Sequence, residues 1–305
     1  MKYRFLILIM ISGCLLTGTG LKGQSIDQRL TAFTQDYARG YVQPFADVFG
    51  ANLNSGLYQG ANGSGGLDVY AGFKLMGAMV PSGKLNFLIA SPYNGVTSST
   101  ATIFGGNGST IPGYDQHPGA PQKYLDGASN LQSVKLVPLI IPQVSLGNFA
   151  GTQLMFRFIP ARDLSQIGKL SMFGFGVQHS ISQYIPLFPV RLSAQVAYQS
   201  ISVGDNFSAK AYSVGVQASK NLIILTLYGG IAVEKSDFSL TYVYNSPIGI
   251  HPASYQGEKY SIDLTGSNRF RATIGIVVHL LLFDVNADYN AGDISVISAG
   301  IGITF

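Results

Sequence analysis

The chain contains 305 residues, of which 47% are hydrophobic and only 11% are charged, with a formal net charge of +4. Soluble globular domains carry roughly 25% charged residues, so this composition argues against an ordinary soluble domain. The apolar content excludes a disordered chain, and after the N-terminal segment no run approaches the roughly 20 apolar residues of a membrane-spanning helix.

The first 23 residues have the features of a secretory signal peptide. Lys2 and Arg4 precede a short apolar run, and small and polar residues then lead to a plausible cleavage point at Gly23. The apolar run is too short for a membrane anchor. Cleavage there removes three of the 19 basic residues and leaves 16 against 15 acidic ones. The excess positive charge belongs mostly to the targeting segment, so we expect no nucleic acid partner.

The only cysteine, Cys14, lies inside this segment. Residues 11–14 resemble the lipobox of bacterial lipoproteins, in which the cysteine becomes the lipidated first residue. The apolar run before it is short and a leucine pair follows it, so we favour cleavage near Gly23 and keep lipidation as the alternative. After cleavage near Gly23 the mature chain has no cysteine, and no disulfide stabilises it.

Residues 24–54 are predicted to form a helical plug or periplasmic segment. Apolar residues recur every three or four positions from Ile26 to Tyr37, which predicts an amphipathic helix over 26–39. Pro44 is suited to the first turn of a second short helix. Such a segment covers an open end of a domain or packs on a protein or membrane surface.

From about residue 55 the apolar period changes from helical to two. In the segments 190–199, 269–278 and 283–290, apolar side chains alternate with polar ones, which predicts strands with one apolar and one polar face. Several of these strands are long, whereas strands of soluble proteins most often have about 5–6 residues. Their polar faces contain glycine, serine, threonine, asparagine and glutamine in place of the lysine and glutamate of a water-facing sheet.

The C-terminal strand is apolar on one face and closes with phenylalanine. Ile301, Ile303 and Phe305 share that face, and small or polar residues share the other. A terminal phenylalanine on such a strand resembles the C-terminal assembly signal of Gram-negative outer-membrane β-barrel proteins. Together with the signal peptide, the resemblance implies an uncharacterised outer-membrane barrel with an N-terminal helical segment. It also implies insertion by the barrel assembly machinery and contact with outer-membrane lipid.

We therefore predict that residues 55–305 form an all-β, transmembrane, up-and-down antiparallel barrel of about 12 strands, within a range of about 10–14. A closed barrel pairs every backbone group internally, which a strand-based membrane protein requires. An even count returns both termini to the periplasmic side. The expected strands are 55–60, 67–79, 83–92, 132–142, 150–160, 169–181, 189–203, 208–220, 222–244, 256–279, 282–291 and 293–305.

The longest connection, 93–131, is rich in glycine, serine and threonine. This composition is typical of a loop, and we expect it either on the outer surface or inside the lumen.

Charged side chains on the inward faces of the strands are the candidate functional residues. Ionised groups inside a barrel must be paired or hydrated, so they either fill the lumen with ion pairs or line a water path. A barrel of about 12 strands lies between filled and open ones, and we favour a blocked lumen. The residues predicted to line the lumen are Arg191, Glu234, Lys259, Asp263, Arg269, Arg271, Asp284 and Asp288.

Neither a metal site nor a catalytic site is predicted. The histidines show no metal-ligand spacing and have no cysteine ligand beside them. The adjacent pair His179 and Ser180 points to opposite faces of a strand, which does not suit a nucleophilic site. We therefore expect no enzyme and no cofactor. The four histidines are His117, His179, His251 and His279.

We therefore expect the protein to act as a membrane-embedded scaffold or as a narrow, gated pore for a small-molecule solute. One alternative is uptake of hydrophobic small molecules, because fatty-acid transport barrels also carry an N-terminal helical plug. A second alternative is surface adhesion through the connection 93–131. A soluble periplasmic β-domain is the remaining alternative.

Overall fold

The computed structural model describes residues 35–61, 68–116, 122–132, 134–164, 168–185, 189–243 and 257–305. The predicted signal peptide, Cys14 and the first part of the predicted helix 26–39 lie outside these residues. No helix in the described part of the chain is long and apolar enough to span a membrane.

A single α-helix, α1 (Gln35–Leu53), occurs in the described residues, beside three 3-10 turns. It continues through Pro44, so the two helices predicted on either side of that proline are one. The missing N–H of the proline leaves the Gly40 carbonyl without its usual helical donor. Gly40 is also required sterically, because a Cβ there would collide with the ring of Phe87. The helix is buried on most of its surface, as expected of a helix inside a larger structure.

Thirteen strands are present in the described residues. They are β1 (Asp68–Met79), β2 (Asn86–Ala90), β3 (Thr97–Ala101), β4 (Leu136–Phe149), β5 (Thr152–Leu164), β6 (Gly168–Ser180), β7 (Arg191–Val203), β8 (Phe207–Leu222), β9 (Leu225–Val243), β10 (Lys259–Thr265), β11 (Phe270–Leu280), β12 (Phe283–Ala291) and β13 (Val296–Thr304).

Ten of these strands close an antiparallel barrel within the described part of the chain. Around the wall the order is β1, β4, β5, β6, β7, β8, β9, β11, β12 and β13, and β13 pairs with β1. β10 follows β11 along the same edge of β9 and has no second neighbour among the described strands. Closure removes the open sheet edges that promote aggregation.

The predicted count of about twelve strands is therefore corrected to ten in the wall, with β10 outside it, which is the lower end of the predicted range of about 10–14. The predicted strand 55–60 is not in the wall, and the predicted strand 83–92 is β2, which pairs only with β3. The segment 55–60 and the observed β2 are short, with six and five residues, whereas a transmembrane β-strand needs about 9–11 residues. Alternation over so few residues does not distinguish a wall strand from other extended chain.

The barrel has two ends. The start of β1 meets the end of β13 at one of them, which also carries the tight turns at 150–151, 223–224 and 281–282; we call it the C-terminal rim. The opposite end, the distal rim, carries the long connection 80–135. The start of β1 and the end of β13 lie at the same rim because the number of wall strands is even, and each pair of strands returns the chain to the same end.

The outer surface of the wall is apolar. Large hydrophobic side chains alternate with inward ones on all sides of the barrel and are between 36% and 69% exposed. Soluble monomers rarely expose contiguous apolar patches beyond a few hundred Å². We call this surface the apolar belt, and it comprises Phe73, Leu75, Val144, Leu146, Phe158, Phe173, Val196, Val214, Val216, Leu227, Ile231, Val233, Ile274, Ile276, Val285, Ile297 and Ile301.

Candidate functional site in the barrel lumen

Residues 35–61, which we call the plug, run down the inside of the barrel. Near the distal rim the Tyr41 hydroxyl donates to the carbonyl of Asp126 at 2.9 Å. At the other end, the backbone N–H of Ala61 donates to Ser219 Oγ at 3.0 Å, close to the turn at 223–224. The plug therefore passes through the lumen from the distal rim towards the C-terminal rim.

The distal half of the lumen is packed with apolar side chains, and we call it the apolar tier. Phe49 of α1 lies against Phe207 and Phe238 of the wall, with ring centroids 6.0 and 6.3 Å apart. The connection 80–135 folds inwards over α1, so its described part caps the lumen. Its buried side chains include Ile103, Phe104, Ile111, Tyr124 and Ala128.

The other half of the lumen is polar, and we call it the polar tier. The change occurs between successive inward residues of the same strand. On β4, Ile141 is followed by Gln143 towards the C-terminal rim, and on β7, Ile201 is followed by Gln199. The same change separates Met76 from Lys74, Phe238 from Ser236, and Val296 from Ser298. The end of α1 lies at this level, where Leu53 contacts Gln199.

Arg157 on β5 is fully buried and binds the backbone at the end of the plug helix. Its Nη2 donates to the carbonyls of Ser55 at 2.9 Å and Gly56 at 2.6 Å. Its Nη1 donates to the carbonyl of Leu53 at 3.3 Å. The last carbonyls of a helix lack intrahelical donors and carry partial negative charge, so a guanidinium here stabilises the helix end.

Two glutamines hold this arginine and also bind the plug. Gln143 Oε1 accepts from Arg157 Nε at 2.9 Å, while its Nε2 donates to the carbonyl of Leu57 at 3.0 Å. Gln199 Oε1 accepts from Arg157 Nη1 at 3.0 Å, and its Nε2 donates to the carbonyl of Leu53. The amides fix the guanidinium and leave few of its donors unsatisfied.

A second buried arginine, Arg271 on β11, binds the plug from the opposite wall. Its Nε and Nη2 form a bidentate ion pair with Glu234 at 2.8 and 3.0 Å. Its Nη2 also donates to the carbonyl of Ala51 at 2.9 Å, and its Nη1 donates to Ser55 Oγ at 2.5 Å. Together, Arg157 and Arg271 hold residues 51–56, and we call the two side chains the arginine clamp.

A third cation, Lys74 on β1, is fully buried nearby and donates to Asn286 Oδ1 at 2.7 Å. Asp288 accepts from the Tyr228 hydroxyl at 2.9 Å and from Asn290 at 2.5 Å. Buried ionised groups require such partners. Among the described residues, the polar tier thus buries three cations, Lys74 and the arginine clamp, against the carboxylates Glu234 and Asp288.

A small cavity remains between the plug and the wall in the polar tier. Its volume is about 30 Å³, which is room for one or two water molecules and not for a hydrated solute. Gln195, Gln217, Arg271 and Asn290 are among the side chains that line it. With the plug in place, this part of the lumen is nearly full.

Four of the residues predicted to line the lumen lie on inward faces of the wall. Glu234 and Arg271 form the ion pair described above, and Asp288 belongs to the Lys74 network. Asp284 is partly buried near the C-terminal rim and lies 2.7 Å from Nδ1 of His279. The structure does not bring Asp284 into the arginine clamp.

The remaining four predicted residues are exposed: Arg191, Lys259, Asp263 and Arg269. Arg191 lies at the end of β7 beside the C-terminal rim. On β10 the buried residues are Ile262 and Leu264, so Lys259 and Asp263 point the other way. The expected register is corrected here because β10 and β11 are two strands, and the inward parity changes across residues 266–269.

Arg157 and Lys74 were not among the predicted residues, although the sequence contains a signal for each. Arg157 lies between Phe156 and Phe158, and Lys74 between Phe73 and Leu75. A cation flanked by outward aromatic or aliphatic side chains points into the barrel. The carbonyl partners of Arg157 belong to the plug, however, and no local pattern predicts them.

His279 is part of a hydrogen-bonded string at the C-terminal rim. Its Nε2 lies 2.9 Å from Thr226 Oγ1, and its Nδ1 lies 2.7 Å from Asp284 Oδ1. A hydroxyl, an imidazole and a carboxylate in this order resemble a nucleophilic triad. Thr226 is only 5% exposed and packs beside Gly60 of the plug, so a substrate does not reach its hydroxyl in this arrangement.

Of the other histidines, only His179 lies in the described part of the chain. His179 lies 2.9 Å from Thr152 Oγ1 and 3.0 Å from the Tyr184 hydroxyl, and His117 and His251 lie outside the described residues. In the part of the chain that the structure describes, no group of three or more histidine, cysteine, aspartate and glutamate side chains is placed to hold a metal ion.

An apolar groove of about 520 Å³ crosses the outer face of β6 to β9 and β11. Gly215, which has no side chain, and Ala232, which has a small one, form part of its lining between Val196, Val214 and Val233. Strands β7, β8 and β9 pair in continuous register beneath it. The groove therefore belongs to the apolar belt and does not lead into the lumen.

Comparison with known proteins yields one family and no curated relative. A family model described as "Family of unknown function (DUF6588)" matches residues 1–305. No curated protein matches the chain.

Three solved structures resemble the chain only weakly. Ail, the attachment invasion locus protein of Yersinia pestis, in complex with the heparin analogue sucrose octasulfate, is 11% identical with a TM-score of 0.27, over 80% of this chain and 100% of that chain. OmpT of Vibrio cholerae, an outer membrane protein with loop L8 deleted, is 12% identical with a TM-score of 0.26, over 80% and 100%. A porin mutant of Rh. blastica is 8% identical with a TM-score of 0.19, over 78% and 100%. At these scores the similarity adds nothing to the architecture derived above.

Proposed function

Since this chain belongs to the DUF6588 family over its whole length, no activity follows from its membership, and we propose a function from the geometry alone. We propose that the protein is an outer-membrane barrel whose lumen is closed by its own plug and opens as a narrow pore when the plug is released. The observation that carries this proposal is the arginine clamp, which holds the backbone of residues 51–56 inside a polar lumen.

The apolar belt supports a membrane location. On β11 the outward apolar side chains run from Phe270 to Leu280. Ten residue steps of about 3.3 Å at a tilt near 40° span roughly 25 Å, the height of the apolar band of outer-membrane barrels. Arg269 and Lys235 are exposed immediately beyond this band. By the same family pattern, the C-terminal rim with its short turns faces the periplasm.

The exposed apolar end of β13 supports insertion by the barrel assembly machinery. Ile301 is 54% and Phe305 69% exposed, and Ile303 lies on the same outward face. These side chains are therefore available to the assembly partner that the resemblance implies.

The chemistry of the polar tier supports a releasable closure. The clamp and the two glutamines bind carbonyls of the plug, and water replaces such hydrogen bonds at a net loss of about 0.5–1.5 kcal/mol for each glutamine bond and about 1.5–3 kcal/mol for each arginine bond. The wall exposed by release consists of Gln143, Gln199 and similar side chains, which are suited to a hydrated path. A permanent scaffold has no need of this polar surface, because apolar side chains fill a lumen as well.

The freed Arg157 side chain supports small anions or neutral solutes as the cargo. When the plug leaves, Arg157 loses its carbonyl partners and faces the hydrated path without a carboxylate ion-paired to it. Potentials in low-dielectric channels concentrate ions of the opposite sign. Uptake of hydrophobic molecules and adhesion through the connection 93–131 remain the alternative roles.

Planar-bilayer recording of the mature protein tests the proposal. We expect the wild type to be mostly silent, with rare openings that are more permeant to anions than to cations, and Arg157→Met to open frequently without this preference, because the freed cation is gone. Lys210→Met is the matched control, since it removes a cation from the exposed outer face of β8 and should stay silent.

A cross-link provides the reciprocal test. Ala61→Cys with Ser219→Cys joins the plug to the wall where the two residues already touch, and the mature chain has no other cysteine when the leader is removed. Oxidation should suppress the openings of Arg157→Met, and reduction should restore them. Heat-modifiable, correctly folded Arg157→Met that is as silent as the wild type would overturn the pore in favour of a scaffold.

A further inference from the structure

We propose that two hairpin tips of the C-terminal rim, at 223–224 and 281–282, are inserted into the lipid interface of the periplasmic leaflet. This inference rests on the proposed function, because it takes the apolar belt as the lipid-facing surface. It adds a second contact with the bilayer, made by turns and not by strands.

The two tips expose large hydrophobic side chains to an unusual degree. Ile223 is 99% and Leu281 103% exposed, and their neighbours Ile224 and Leu282 are 62% and 56% exposed. Isolated exposed leucines are common on protein surfaces, but contiguous apolar patches mark contacts with proteins or membranes.

The backbone of these turns does not call for such residues. Ile223 and Leu281 both have φ of 56°, in the left-handed region. This conformation costs an L-residue about 1–2 kcal/mol and is rarest for β-branched side chains, so tight hairpin turns favour asparagine and glycine. The turn at Ala150 and Gly151, with φ of 49° and 70°, uses small residues at the same rim. Turn geometry therefore does not explain isoleucine and leucine at the other two tips.

The two tips lie side by side and continue the apolar belt. β9 pairs with β11, and the N–H of His279 donates to the carbonyl of Ile224 at 2.9 Å. One step further into the wall, Leu227 pairs with Ile276, and both belong to the belt. The resulting patch comprises Leu222, Ile223, Ile224, Leu280, Leu281, Leu282 and Phe283.

The height of the belt favours lipid over a protein partner as the occupant. The charged residues Arg269 and Lys235 mark its distal edge, and a hydrocarbon band of roughly 25 Å measured from them reaches Leu280, next to the tip. Lys220 is exposed beside this end of the wall, and its long side chain is able to reach the headgroups. The two hairpin tips thus lie at the edge of the hydrocarbon core, in the interfacial region of the lipid headgroups.

The chain contains no tryptophan, so single tryptophan substitutions give unambiguous depth probes. Ile224→Trp and Leu282→Trp report on the two tips without replacing the residues in left-handed conformation. Ile274→Trp reports on the middle of the apolar belt, where the residue is 69% exposed. Leu88→Trp, 72% exposed on β2, is the aqueous reference. Each variant is folded into phosphatidylcholine vesicles whose acyl chains are brominated at defined depths, and heat-modifiable mobility selects folded protein.

We expect Ile274→Trp to lose most of its fluorescence to deep bromines, and both tip probes to lose a comparable share to shallow bromines. Leu88→Trp should be quenched by iodide in the water and not by bromolipid.

If Ile274→Trp is quenched but both tip probes behave like Leu88→Trp, the insertion of the tips is wrong, while the membrane location of the barrel is retained. If Ile274→Trp itself escapes bromolipid, the membrane location fails and the inference falls with it. Tip probes that become shielded from iodide only after a periplasmic extract is added would also overturn it, in favour of a protein partner.

Discussion

The two halves of the lumen hold the same plug by different chemistry. In the apolar tier, side chains such as Phe49 pack against rings of the wall, and the connection 80–135 covers them. In the polar tier, wall side chains such as Arg157 bind backbone carbonyls of residues 53–57. Moving the part of the plug in the apolar tier out of its site exposes apolar surface to water. Moving the part in the polar tier exchanges hydrogen bonds with the wall for hydrogen bonds with water.

This difference assigns different roles to the two halves. The apolar tier resembles the core of a soluble domain, so we expect α1 to stay packed there until the polar tier has released residues 51–56. The polar tier combines a buried ion pair with neutral hydrogen bonds, and its strength depends on keeping each donor matched to an acceptor. Stability and closure are therefore separable properties, and variants in the two tiers should affect them differently.

The largest effect is expected at the buried ion pair of the polar tier. Arg271→Met removes the partner of Glu234 and leaves a carboxylate buried without compensation, which should reduce the free energy of unfolding by about 4 kcal/mol. Urea-induced unfolding from phospholipid vesicles measures the loss. The double variant Arg271→Met with Glu234→Gln should recover a large part of it, because the unpaired charge is gone. A single variant as stable as the wild type would contradict a desolvated pair.

The next effect belongs to the apolar tier. Phe49→Ala removes a buried ring and leaves a cavity between α1, β8 and β9, so the free energy of unfolding should fall by about 3 kcal/mol. The arginine clamp stays intact, and the bilayer record should remain as silent as that of the wild type. Leu88→Ala is the control, since this side chain is 72% exposed and its loss should change stability little. Frequent openings of Phe49→Ala would show that closure depends on both tiers alike.

The wall of the barrel follows from the sequence because its pattern is local. The alternation over 189–203 and 282–291 corresponds to β7 (Arg191–Val203) and β12 (Phe283–Ala291). The path of residues 55–61 inside the barrel cannot be predicted from the sequence, because polar groups line the lumen of the polar tier. An extended segment inside it therefore needs the same mixed composition as a wall strand, and no periodicity separates the two.

The candidate site follows from the sequence only in part. The parity of a strand predicts that Glu234 and Arg271 point inwards, but their contact depends on the register between β9 and β11. The parity fails for Lys259 and Asp263, because the interruption at 266–269 shifts it. The turn-forming residues 266–268 (Gly-Ser-Asn) mark this break in the sequence, but the predicted strand 256–279 runs across it. The clamp of Arg157 on the plug joins residues about a hundred positions apart, and only the folded topology brings them together.

The smallest effect on the free energy of unfolding is expected from removing a single hydrogen-bonding side chain, and we compare one such variant in each tier. Gln143→Met keeps the side-chain volume but removes the acceptor of Arg157 Nε and the donor to the carbonyl of Leu57, which should reduce the free energy of unfolding by about 2 kcal/mol. Tyr41→Phe is the matched variant in the apolar tier, where it removes a donor to the carbonyl of Asp126 and keeps the ring. Its loss should be about 1 kcal/mol.

Single-channel records of the same two proteins then separate stability from closure. Gln143→Met loosens the guanidinium that holds residues 53–56, so its closed times should shorten relative to the wild type. Tyr41→Phe leaves the clamp untouched, so its closed times should match those of the wild type even though it is less stable. Equal shortening in both variants would mean that the plug is released as one unit from both tiers, and the division between them would have no functional meaning.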